Sequence, residues 1–105
     1  MIFAREINQQ DEAVGIGTRF STRDPQIVQL VSWSPDSLSE GTRLAFKWVA
    51  PSGSVVVEGQ HTVEQGANGW LFTVRPPSGG FPATRIESQV TVNGTIAARE
   101  QMTIE

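Results

Sequence analysis

His61 is the single histidine in a chain that has no cysteine. It is therefore the residue to test first for base, proton-shuttle or metal-ligand chemistry. A zinc site would need two or three carboxylates converging on it, and its nearest acids in sequence are Glu58 and Glu64. Spaced by three on a strand, such groups point to opposite faces, so the expectation is a solvated polar residue near a turn. The adjacent acids Asp11 and Glu12 diverge for the same reason, which is unsuited to paired acid–base work. Serines are plentiful, yet no Gly-x-Ser-x-Gly elbow presents one as a nucleophile. Gly15-Ile16-Gly17 lacks the third glycine and the following helix of a nucleotide-binding turn. No catalytic, metal-ligating or cofactor-binding residue is nominated, and enzyme is the least favoured class.

The remaining chemical resource is aromatic and aliphatic. Of the three tryptophans, Trp48 is expected in the core, while Trp33 and Trp70 lie beside turn-rich stretches. There an indole either closes one end of the core or meets a sugar ring or a partner protein. Phe81 sits in Pro76-Pro77-Ser78-Gly79-Gly80-Phe81-Pro82, placed either to tuck under that loop or to project from it. Val55, Val56 and Val57 form an uncharged run that, on a sheet edge, can template pairing with another chain. The candidate binding surface is thus Trp33, Trp70, Phe81, Val55 and Val57.

These side chains must be positioned by strands. The 105 residues make one domain, 1–105, with 38% hydrophobic and 18% charged residues and a net charge of −3. No run approaches the roughly 20 apolar residues of a membrane helix. The eight Lys+Arg are scattered singly, which argues against a nucleic-acid partner. Turn residues recur at short spacing: Gly15, Gly17, Asp24-Pro25, Ser34-Pro35-Asp36, Glu40-Gly41, Pro51-Ser52-Gly53, Gly66, Asn68-Gly69, the 76–80 loop and Asn93-Gly94. Between them hydrophobicity alternates with period two, the pattern of an all-β sandwich or barrel.

The clearest strand is 43–49, with Leu44, Phe46 and Trp48 on one face. Segment 27–33 places Ile27, Val31 and Trp33 together with Gln29 as a polar interruption, but Val28 and Leu30 oppose them, leaving the buried face open. Segment 54–58 is expected to end at a turn around Gly59. Segment 70–75 sets Trp70, Phe72 and Val74 against Leu71, Thr73 and Arg75. Val90-Thr91-Val92-Asn93-Gly94-Thr95-Ile96 predicts two strands joined by a type I′ turn, because Asn and Gly accept positive φ at both central positions. Ile86, Ser88, Val90 and Val92 share a face on the incoming arm. Ile96, Ala98, Met102 and Ile104 do so on the outgoing arm, with Glu100 breaking the pattern; a bulge near Glu100, or an edge position, would absorb that break. Residues 5–13 favour a turn of helix or a loose first strand.

Trp48 in the third strand, Gly41-Thr42 entering it, and the Trp48-x-x-Pro51-x-Gly53 that follows resemble bacterial immunoglobulin-like sandwich modules. Trp70-x-Phe72-x-Val74 and the Val90-x-Val92-Asn93-Gly94 hairpin fit the same type, over residues 14–105. The resemblance implies an immunoglobulin-like antiparallel β-sandwich of about seven strands ending in the Asn-Gly hairpin. It also implies a spacer, adhesive or accessory module in a surface or exported protein. The first six residues nevertheless lack the apolar core of a signal peptide. With neither Cys nor Tyr, the disulfide and tyrosine corner of antibody domains are excluded. In some adhesive modules calcium sits at turns like those of Asp24, Asp36 and Glu40, but no Asp-x-Asp cluster accompanies them here. The resemblance carries over no catalytic residue.

The expected function is a non-catalytic interaction or structural module. It would bind a protein partner, or a second copy of itself, through the 54–58 edge or the loop end with Phe81. The alternative is a carbohydrate-binding module using exposed, coplanar aromatics from Trp33, Trp70, Phe81 and Phe20.

Overall fold

The computed structural model describes residues 1–10, 12–34 and 36–105. The Asp11–Glu12 pair and the turn through Pro35 therefore lie partly outside the described residues. Among the described residues the regular elements are ten strands. They are β1 (Ile2–Ala4), β2 (Glu6–Ile7), β3 (Ala13–Val14), β4 (Arg19–Phe20), β5 (Ile27–Ser32), β6 (Arg43–Val49), β7 (Val55–Thr62), β8 (Gly69–Val74), β9 (Thr84–Val92) and β10 (Thr95–Ile104). No helix is long and apolar enough to cross a membrane.

The strands form a three-stranded sheet β1-β5-β8, a five-stranded sheet β4-β10-β9-β6-β7 and a two-stranded ribbon β2-β3. The chain is thus all-β, but it has ten strands in three sheets where about seven were expected. The first twenty residues hold four short strands where a single loose one was expected, which accounts for the excess. Phe3 is buried and meets the Phe20 ring edge-on at 6.5 Å. Pairing is also mixed rather than wholly antiparallel, since β4 runs parallel to β10.

Alternation decides the faces. Leu44, Phe46 and Trp48 of β6 are buried with Ile86, Ser88 and Val90 of β9 and Met102 and Ile104 of β10. Against them lie Phe3, Ile27, Val31, Trp70 and Val74 from the other sheet. Gln29 belongs to this set and is fully buried. Its Oε1 accepts hydrogen bonds from Trp48 Nε1 at 2.8 Å and from Ser88 Oγ at 3.0 Å, and its Nε2 donates to the Met1 thioether. That one carboxamide joins β5 to β6 and β9 across the layers. It settles the face that the sequence left open: Ile27, Gln29 and Val31 point inward, and the apparent polar interruption is part of the core. Val28, on the other face, is buried as well, where β2 lies beside β5.

The Asn93-Gly94 turn has φ of 50° and 88°, the type I′ signature. Asn93 also ties the turn to β6: its N–H donates to Arg43 O, and its Oδ1 accepts from Arg43 N–H. The β9–β10 register shifts between Ile96 and Ala98, so the bulge lies at Ala97 and not near Glu100. Glu100 pairs with Ser88 yet is exposed. Beyond β4, which pairs only with Thr103 and Ile104, that side of β10 has no neighbouring strand among the described residues, so of the two expected explanations it is the edge position that lets the glutamate reach water.

Replacing Gln29 by Leu keeps the volume but strands the Trp48 indole N–H in an apolar setting. Urea unfolding should show a loss of about 2 kcal/mol, the cost of an orphaned buried donor. An unchanged midpoint would remove the carboxamide from the set of stabilising contacts.

Candidate functional site

Sheet order leaves β7 at one edge of the five-stranded sheet and β8 at one edge of the three-stranded sheet. Cross-layer aromatic contacts place the two edges on the same side of the molecule. Phe46 stacks on Phe72 at 4.0 Å and 22°, and its centroid is 5.7 Å from that of Trp70. His61 lies flat against Trp70 at 5.2 Å and 15°. Trp70 and Phe72, two apart on β8, are 4.7 Å from one another. The four rings form a seam closing this side of the core, with His61 and Phe72 half-buried at its lip.

His61 is thus only partly solvated and lies within the last residues of a strand, one face of its ring covered by Trp70. It lies in β7 opposite Leu44, an inward-facing position on a strand that continues to Thr62. Glu58 falls on the opposite face, as its odd spacing from His61 requires. Among the described residues no group of three or more His, Asp and Glu side chains converges. Asp24 is engaged locally, its Oδ2 accepting from Ser21 N–H at 2.8 Å.

Gly59 was expected at a turn, but it is the middle of β7, paired with Phe46. A Cβ there would come within 2.6 Å of Phe46 Cε1. The ring occupies the space that any other residue would need, and Phe72 stacked on that ring keeps it from yielding. Glycine in this strand is thus a packing requirement, which explains why it reads like a breaker in sequence. On the outer face of the same two strands lies a separate hollow of about 300 Å³, its lining including Ala45, Lys47, Glu58 and Gln60.

The β7 edge is open along its backbone. Val63 N–H donates to Thr42 O, so strand alternation turns the amide groups of His61, Gly59 and Val57 toward β6. Those of Thr62, Gln60 and Glu58 turn away, toward a lane that no described strand occupies; at Val56 the alternation breaks, because β7 carries a bulge opposite Trp48. Val55 and Val56 are 47% and 40% exposed, and Glu58 is the one charge on the strand. Across the seam, β8 offers a second free edge with no charge at all, where Leu71 is 48% exposed. The sequence reading singled out 54–58 and missed β8, because a six-residue alternating strand gives no sign of whether both of its sides are paired.

The other candidate residues fare differently. Val57 is half-buried and packs against the core from β7. Trp70, nominated for the surface, is buried, because its place on β8 faces Phe46 and His61. Phe81 is buried as well: its N–H donates to Thr22 O, which draws the 76–82 loop down onto the β4–β5 connection. Trp33 is half-buried and donates from Nε1 to Ala67 O at 2.9 Å. Phe20 is also buried. Of the four aromatics proposed as a sugar platform, only Trp33 reaches solvent. A separate depression of about 370 Å³ beside the Pro51–Gly53 turn is lined by residues that include Val49, Arg85, Glu87 and Gln101.

No protein-family model matches the chain, and no curated protein matches it in sequence.

Two outcomes follow. Gly59→Ala should destabilise the fold by about 1–3 kcal/mol through overpacking against Phe46, and Gly59→Ala with Phe46→Leu should recover most of that loss in urea unfolding. Iodide should quench a single tryptophan class that disappears in Trp33→Phe; strong quenching retained in that variant would place Trp48 or Trp70 at the surface.

Proposed function

We propose that this chain is a non-catalytic interaction module of the immunoglobulin-like type, which takes an extended segment of a partner protein along β7 as an added strand. The observation that carries this is the open β7 edge: eight residues long, bearing one charge, with exposed valines and a bulge at its start and an outward row of amide groups at Glu58, Gln60 and Thr62. Edges of this length are ordinarily blunted by lysine, proline or an inward charge. An incoming strand gains main-chain hydrogen bonds from the edge, and alternate side chains settle against Val57, Gly59 and the His61–Trp70 stack. Two facing layers, the Asn-Gly hairpin and Trp48 at the centre of the core are what support the immunoglobulin-like type. The type in turn favours an extracytoplasmic setting in a bacterial surface or exported protein. The loop end with Phe81 is the weaker docking surface because its aromatic is buried. The carbohydrate reading lacks a pair of exposed rings.

Selection of displayed random decapeptides on the immobilised chain tests the proposal. Gln60→Pro removes one outward N–H without touching the β6–β7 hydrogen bonds. Peptides rich in β-formers should be enriched on the native chain and lost on Gln60→Pro. Enrichment that survives this variant moves the surface away from β7, and no enrichment on either protein sinks the strand-addition mechanism.

A further inference from the structure

Resting on β7 as the binding surface, we infer that the strand added to it is β7 of a second copy, paired antiparallel about a two-fold axis through Gly59. An isologous dimer places the same strand on both sides of the axis, so residue i faces residue j and j faces i. From Glu58 to Thr62 the outward amide groups belong to even-numbered residues. A hydrogen-bonded antiparallel lane therefore pairs even with even, and the registers open to it differ in steps that a side-chain inspection can rank.

Centred on Glu58, the register opposes Glu58 to its own copy, two like charges directly across a pair, which is unfavourable. Centred on Gly59, Glu58 faces Gln60 twice, which gives two hydrogen-bonding pairs on the outer face, and the bulge at Val56 lies outside this paired stretch. On the inner face Gly59 meets Gly59, and Val57 meets His61. The absent side chains at the axis let the two backbones and the two Phe46 rings beneath them approach without a clash, because each ring already fills the space over its own glycine. His61, half-buried on Trp70, then gains the apolar cover of the second Val57.

The other edge of the same sheet is worse suited to self-pairing. The free part of β10 carries Arg99 and Glu100 as well as the Ala97 bulge, and both blunt an edge, whereas the bulge of β7 lies at its start and leaves residues 58–62 regular. The single charge on β7 is tolerated in the Gly59-centred register because its partner is glutamine.

Sedimentation velocity of the 105-residue chain across a concentration series provides the test. The native chain should show a monomer–dimer equilibrium. Gln60→Glu sets two Glu–Glu pairs against one another and should weaken the dimer about tenfold. Gln60→Lys sets two Lys–Glu pairs and should hold or tighten it at low salt, the gain fading as salt is raised. Unchanged urea midpoints in both variants show that the fold itself is intact. A monomer at every concentration overturns the inference. So does a dimer indifferent to both charge changes, which would lie on another surface or in another register. If the chain is monomeric yet still enriches peptides that Gln60→Pro loses, the β7 edge stands and its partner is a different chain. Loss of both results removes the edge as a binding surface altogether.

Discussion

A carboxamide with no access to water holds the two layers in register. Gln29 on β5 accepts from the Trp48 indole of β6 and the Ser88 hydroxyl of β9. Apolar contacts alone would tolerate small sliding of one sheet over the other. A buried acceptor shared by two donors does not, because any slip leaves polar groups unpaired in a medium that cannot solvate them. The described residues leave no buried side-chain nitrogen or oxygen without a partner. The positions of Trp48 in the core and of β6 beneath β8 follow from this contact, and the aromatic seam is assembled over β6.

That seam explains why one side of the molecule is open. Phe46 lies over Gly59 and against Phe72, so the two layers are closed by rings and not by another strand. The rings exclude water from the core while leaving the β7 and β8 backbones unpaired. On the opposite side the five-stranded sheet ends in β4 and the exposed stretch of β10, which carries two adjacent charges. The two sides therefore differ in edge charge, since both edges contain a bulge.

Much of the fold was legible in the residues. Asn93-Gly94 predicts its own turn because few residue pairs accept two consecutive positive φ values. The inward faces of 43–49, 70–74 and 86–92 follow from strict alternation. The short N-terminal strands were not legible, since two-residue pairings such as β2 with β3 exist only through tertiary hydrogen bonds and leave no periodicity. The candidate site was visible only in part. Val55 to Val57 announce an apolar strand, but the extension of that strand through Gly59 to Thr62 depends on Phe46 filling the space over the glycine.

The sequence by itself determined that the chain is all-β, that it builds no thiol or disulfide chemistry, and that Trp48 belongs inside, because composition and period-two alternation are local properties. Tertiary structure alone decided that Gln29 is core, that Trp70 and Phe81 are buried, and that β7 and β8 are edges side by side. Each of these depends on which elements lie across the interior from a residue. A polar side chain is acceptable inside only if its partners arrive from distant strands, and a strand is an edge only if nothing else pairs with it. Neither condition is written in the residues of the segment concerned.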